Sequence, residues 1–187
     1  AVAAIRAWSE PNGLVEIGAG TGYWARAIAH DGTPVVAFDQ APPPSTTNTW
    51  FNDAEQWFPV AEGDHRHVLS HPERTLLLMW PTKNETWAAD AVELFHGAGG
   101  RRIVYIGEPP GGRTGDDSFH AMTGGLELCT ACSYGLTSVP CVCDIPRLFE
   151  PQHHIRIPNW VGFDDEVVLL ERLSPGRSRR WLGRRRR

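Results

Sequence analysis

Val15-Glu16-Ile17-Gly18-Ala19-Gly20-Thr21-Gly22-Tyr23-Trp24 is the stretch that decides the fold. The apolar run from Gly13 to Ile17 reads as a buried strand. It breaks into glycines at three alternate positions, and Trp24-Ala25-Arg26-Ala27-Ile28-Ala29 then has helical composition. A glycine-rich turn between strand and helix lets a ligand approach the backbone and aims the helix N-terminus at it. The dinucleotide fingerprint puts its third glycine where Tyr23 stands, so the spacing argues against a dinucleotide.

An acidic residue followed by Gly-x-Gly-x-Gly resembles motif I of the class I S-adenosylmethionine (SAM)-dependent methyltransferases. The resemblance implies that the turn, with Glu16, Gly18, Ala19, Gly20, Gly22, Tyr23 and Trp24, holds the methionine part of SAM. It also implies an acid at the end of the next strand for the ribose hydroxyls. Asp39 ends Pro34-Val35-Val36-Ala37-Phe38, seventeen residues after Gly22. Trp57-Phe58-Pro59-Val60 reads as a short third strand. Asp64, soon after it, is placed to accept from the adenine amino group, although Gly63-Asp64 is also ordinary turn chemistry.

The rest of the chain alternates as that opening requires. Ala41 to Asn48 is too proline-rich for helix or central strand and reads as a loop at the carboxyl edge of the sheet. Arg74 to Pro81 is an unbroken apolar strand, covered on both faces. A helix around Thr86–Phe95 leads to a fifth strand, Arg102-Ile103-Val104-Tyr105-Ile106-Gly107-Glu108. Asp116 or Asp117 caps a helix containing Phe119 and His120. His154–Pro158 and Glu166–Arg172 complete the sheet. The expected fold is α/β and Rossmann-like: a mostly parallel seven-stranded sheet with an antiparallel last strand, helices on both faces and a small cysteine-rich zinc-knuckle insertion. The resemblance covers residues 1–173. Glu-Ile-Gly-Ala-Gly-Thr-Gly-Tyr-Trp, Leu-Leu-Leu-x-Trp-Pro, Tyr-Ile-Gly-Glu and Ile-Pro-x-Trp are similar to one sparsely characterised group of methyltransferases.

At 187 residues the chain suits one domain, taken as residues 1–174, with the insertion at about 125–150 and a basic tail at 175–187. The first residue is Ala1 and not Met, which is compatible with a fragment of a longer chain. The net charge of −4 conceals an asymmetry: seven arginines lie between Arg177 and Arg187, which leaves −11 on the remainder. Such a tail is expected to be solvated and disordered, with weak nucleic-acid contact as its most specific use. No run is long enough for a membrane span and no signal-peptide pattern is visible, so a cytoplasmic location is expected.

All four cysteines fall in one cluster, Cys129-x-x-Cys132 and Cys141-x-Cys143. Two close thiolate pairs fit a closed tetrahedral structural zinc site. Two disulfides or four free thiols are the alternatives, and a cytosolic enzyme disfavours the first.

Methyl transfer to an oxygen or nitrogen acceptor needs positioning and a base. Trp80 and Glu108, ending the fourth and fifth strands, are the candidates that face the reaction, with Trp80 also beside the cofactor's sulfonium. His120 and Asp117, on the next loop and helix, are the other titratable candidates. The expected activity is methyl transfer to a small-molecule or protein acceptor. An RNA or DNA methyltransferase using the tail and zinc knuckle, or a non-catalytic SAM-binding protein, are the alternatives. An acidic body disfavours extended nucleic-acid docking.

Overall fold

The computed structural model describes residues 1–125 and 141–174. Cys129, Cys132 and the arginine tail lie outside the described residues.

Seven strands form one sheet in the order β3-β2-β1-β4-β5-β7-β6. They are β1 (Leu14–Ile17), β2 (Val35–Asp39), β3 (Ala61–Glu62), β4 (Thr75–Met79), β5 (Arg102–Gly107), β6 (Phe149–Arg156) and β7 (Glu166–Arg172). β1 to β5 are mutually parallel, and β7 runs against β5 and β6. The order reverses at β1 and β4, so their carboxyl ends open the crevice where open α/β sheets bind ligands.

The helices follow the two faces of the central strands. Leu14, Leu77, Val104 and Ile106 pack with Ile5 of α1 (Val2–Ser9) and Ile28 of α2 (Tyr23–Ala29). Val15, Ile17, Leu76, Leu78 and Ile103 pack with Phe95 of α3 (Trp87–Gly97) and Phe119 of α4 (Asp117–Met122). β1 and β4 are apolar apart from Glu16 and Thr75 because both faces are covered. Glu16 lies fully buried on the α1/α2 face. None of the described helices is long and apolar enough to cross a membrane.

The structure departs from the sequence reading in three places. Trp57 to Val60 is not a strand, and β3 is only the two residues after it. β6 begins at Phe149 instead of His154, so its first residues come from the segment read as insertion. A register shift between Pro151 and His153 hides its period. The connection from β2 to β3 contains no helix. It is a loop folded back over the glycine turn, tied there by the Trp57 N–H donating to Thr21 O at 2.7 Å.

Candidate functional site

β1 stops at Ile17 because Gly18 adopts φ 74°, and Gly20 (53°) and Gly22 (74°) continue in the left-handed region that side chains avoid. The turn is fixed from β2. The Gly20 N–H donates to Asp39 Oδ2 at 2.8 Å and the Ala41 N–H to Asp39 Oδ1 at 2.9 Å. Asp39 therefore stands beside the turn at the carboxyl edge, with lone pairs on both oxygens left for further donors.

The glycine at position 20 has a second cause, which the sequence did not reveal. A Cβ there would meet the Phe51 ring at 2.8 Å. Asn48, almost buried, aims that ring: its side-chain carbonyl accepts from the Trp50 and Phe51 N–H groups at 3.0 and 2.8 Å, while its amide donates to Ala41 O at 2.8 Å. Gly18 is similarly faced by Trp87. The long β2–β3 loop thus covers the turn with an aromatic side chain that is itself 40% exposed.

Glu16 is buried at the heart of this region, and neither carboxylate oxygen makes a hydrogen bond of normal geometry. Burial pushes its acid up to about 8, the Ala25 N–H offsets this, and the Asp39 charge adds a smaller rise. The raised value favours the neutral acid near pH 7. Trp24 also departs from expectation, since it packs into the core on the α1 side. Tyr23 is exposed and meets Trp57 edge-on at 5.6 Å.

Asp64 serves local structure. Its carboxylate caps the short 3-10 helix His65–Ser70, accepting from the Arg66 N–H at 3.0 Å, and it pairs with the Arg66 guanidinium. That hydrogen bonding holds its acid well below the usual carboxylate range. The geometry builds a cap where the resemblance implied an adenine contact.

Glu108, Trp80 and His120 do gather at the ends of β4 and β5, but the two titratable groups are occupied. Glu108 is buried, with Oε2 accepting from the Arg113 N–H at 2.6 Å and Oε1 from the Asp164 N–H at 3.3 Å. It braces two loops. His120 is buried, its Nε2 lies 2.9 Å from Thr114 O, and burial lowers its proton affinity, so a neutral ring donates that bond. Asp116, not Asp117, caps α4 through Phe119 N–H at 3.0 Å. Thr114 completes the brace: its hydroxyl bonds the Tyr105 hydroxyl at 2.6 Å and accepts from the Glu108 N–H at 2.9 Å. Beside it Lys83, Glu108, Gly111, Gly112, Arg113 and Asp164 line a cavity of about 430 Å³, the size of a small-molecule pocket.

Among the described residues no group of three or more histidines, cysteines and acids is placed to hold a metal ion. Cys141 and the backbone of Cys143 lie at a short 3-10 turn, Val142–Asp144, and the other two cysteines of the expected zinc site are outside the described residues.

No protein-family model matches the sequence, and no curated protein does. Solved structures do. A point mutant of MtNAS in complex with S-adenosylmethionine superposes with a TM-score of 0.51 over 92% of this chain, at 14% identity. The chain spans 59% of that protein's length. A Streptococcus pneumoniae protein proposed as a tRNA methyltransferase gives 0.52 over 93% of this chain and 72% of its own, at 10% identity. At such identities the likeness speaks for the fold alone. With the strand order and the glycine turn held by Asp39, it establishes that this chain has the class I SAM-dependent methyltransferase fold.

Proposed function

We propose that the protein is a SAM-dependent methyltransferase acting on a small-molecule or protein acceptor. The observation that carries this reading is the pair of Gly20 and Asp39, a left-handed turn residue whose N–H is held by the acid ending the neighbouring strand. That pairing leaves the face of the turn to a ligand and the remaining lone pairs of Asp39 to ribose hydroxyls. Gly18, Gly20 and Asp39 would hold SAM, with Phe51 swinging off Gly20 to admit it. SAM, when bound, would supply an activated methyl group, its sulfur leaving with the S–C bonding electrons as the acceptor's lone pair takes the carbon. The chain's part is to position the acceptor above β4 and β5 and to exclude water. Because Glu108 and His120 already hold structural bonds, they maintain the loops around that space, and the acceptor's proton passes to the acceptor's own groups.

Acceptors of other classes remain outcomes of one test. Labelled SAM is incubated with the protein and fractionated cell extract, before and after nuclease. Label in small molecules or protein, unchanged by nuclease, supports the reading. Label lost on nuclease treatment supports a nucleic-acid acceptor instead, and no transfer to any fraction supports a SAM-binding protein without catalysis. The zinc reading rests on the Cys129, Cys132, Cys141 and Cys143 spacing. Metal analysis of protein purified without chelator should find one zinc per chain, and Cys132→Ser should release it.

A further inference from the structure

The register of the sheet carries Trp80 to the centre of the proposed site. Ile17 pairs with Leu78 and Met79 with Ile106, so Trp80, one residue past β4, lies between the glycine turn after β1 and the end of β5. Its N–H donates to Ile106 O at 2.8 Å, continuing the ladder. Its backbone does not continue the strand, because φ is 48°, a left-handed conformation that a residue with a Cβ rarely adopts. Such a conformation persists only where the surroundings over-determine it, and such residues cluster at functional sites.

The β6–β7 loop supplies that determination from eighty-five residues away. The Trp80 indole Nε1–H donates to Asp165 Oδ1 at 2.8 Å. Asp165 is itself held at the main chain, its N–H donating to Asn159 Oδ1 and its carbonyl accepting from Asn159 Nδ2, both at 2.9 Å. Phe163 packs on the indole at 5.6 Å between centroids, and the Arg113 guanidinium lies 4.1 Å above the Phe163 ring. Glu108 ties the Arg113 and Asp164 N–H groups together beneath them. Trp80 nevertheless remains 39% exposed.

We propose that Asp165 is a positioning residue that fixes the Trp80 indole as a wall for a sulfonium, so that the site prefers SAM to S-adenosylhomocysteine. This rests on the SAM reading given above. A cation over an indole face is favoured by about two- to thirty-fold in affinity, and the neutral thioether lacks that attraction. A carboxylate accepting from the indole N–H fixes the ring and adds electron density to it.

The test is calorimetric, with SAM and S-adenosylhomocysteine as the probes and their Kd ratio as the readout. Wild type should prefer SAM within about two- to thirty-fold, and Trp80→Leu should bring the ratio to near one. Asp165→Ala should do the same with S-adenosylhomocysteine affinity kept. Asp165→Asn, whose carbonyl still accepts the indole N–H, should retain the preference. The indole N–H resonance that disappears in Trp80→Leu should exchange with solvent faster in Asp165→Ala than in Asp165→Asn. A wild-type ratio of one overturns the inference, as does an Asp165→Ala protein that keeps the preference. Loss in Asp165→Asn equal to that in Asp165→Ala also overturns it, since bare charge and not ring position would then be responsible. Wild type that binds neither ligand removes the SAM reading itself, a result distinct from all of these.

Discussion

Replacing Glu16 with Gln should change how stability depends on pH, and by a large amount. Glu16 is buried without a hydrogen bond of normal geometry, and burial pushes its acid from 4.5 to about 8. Between those pH values the native state binds a proton that the unfolded chain releases. Raising the pH therefore favours unfolding across that window. Each tenfold difference in proton affinity is about 1.4 kcal/mol, so the rise to about 8 removes roughly 5 kcal/mol of stability between pH 4.5 and 8. That is a large share of the ~5–15 kcal/mol of a typical domain. Gln cannot ionise, although its buried amide also goes unpaired, at a cost of about 1–3 kcal/mol. Urea unfolding of wild type and Glu16→Gln at pH 5 to 9 separates the two effects. His71, His96 and His120, whose proton affinity burial lowers, contribute with the opposite sign and cancel in the difference between the proteins. Wild type should be the more stable at pH 5 and Glu16→Gln the more stable at pH 9. Two curves that stay parallel from pH 5 to 9 would refute the reasoning.

Two further substitutions test the geometry around the turn and the brace. Gly20→Ala meets both a left-handed backbone, costing about 1–2 kcal/mol, and the Phe51 ring at 2.8 Å. Adding Phe51→Ala should recover the ring's part and leave the backbone's, so unfolding free energies of the two single and the double variants should show positive coupling, and strict additivity would count against the contact. Glu108→Gln replaces one accepting oxygen by a donor, leaving the Arg113 or Asp164 N–H unmatched at about 1–3 kcal/mol. Limited proteolysis should then cut faster within residues 109–113 while SAM affinity is kept, and an unchanged cleavage rate would contradict the bracing role.

The fold was largely legible because its central strands are covered on both faces. That covering makes Leu14–Ile17, Thr75–Met79 and Arg102–Gly107 continuous apolar runs, and their ends carry the turn, Trp80 and Glu108. Ala61–Glu62 was not legible, since a two-residue exposed edge strand has no apolar period. β6 was read short because the irregularity at Pro151/His153 breaks its alternation. Asp39 was legible from spacing, being fixed by the length of one helix and one strand. Trp24, Asp64, Glu108 and His120 were found as positions, but their roles depend on what lies opposite in space. The same holds for Asn48 and Phe51, which reach the turn from a loop read only as proline-rich. Asp165 is the clearest case: nothing in Phe-Asp-Asp-Glu marks an acid whose partner lies eighty-five residues earlier.

The central claim is that this fold still holds its cofactor, and calorimetric titration with SAM, beside NAD as a control, tests it most directly. Wild type should bind SAM and not NAD. Asp39→Ala should weaken SAM binding by about 1.5–3 kcal/mol, the scale of a hydrogen bond to a charged group. Binding of NAD without SAM, or SAM affinity untouched by Asp39→Ala, would contradict it.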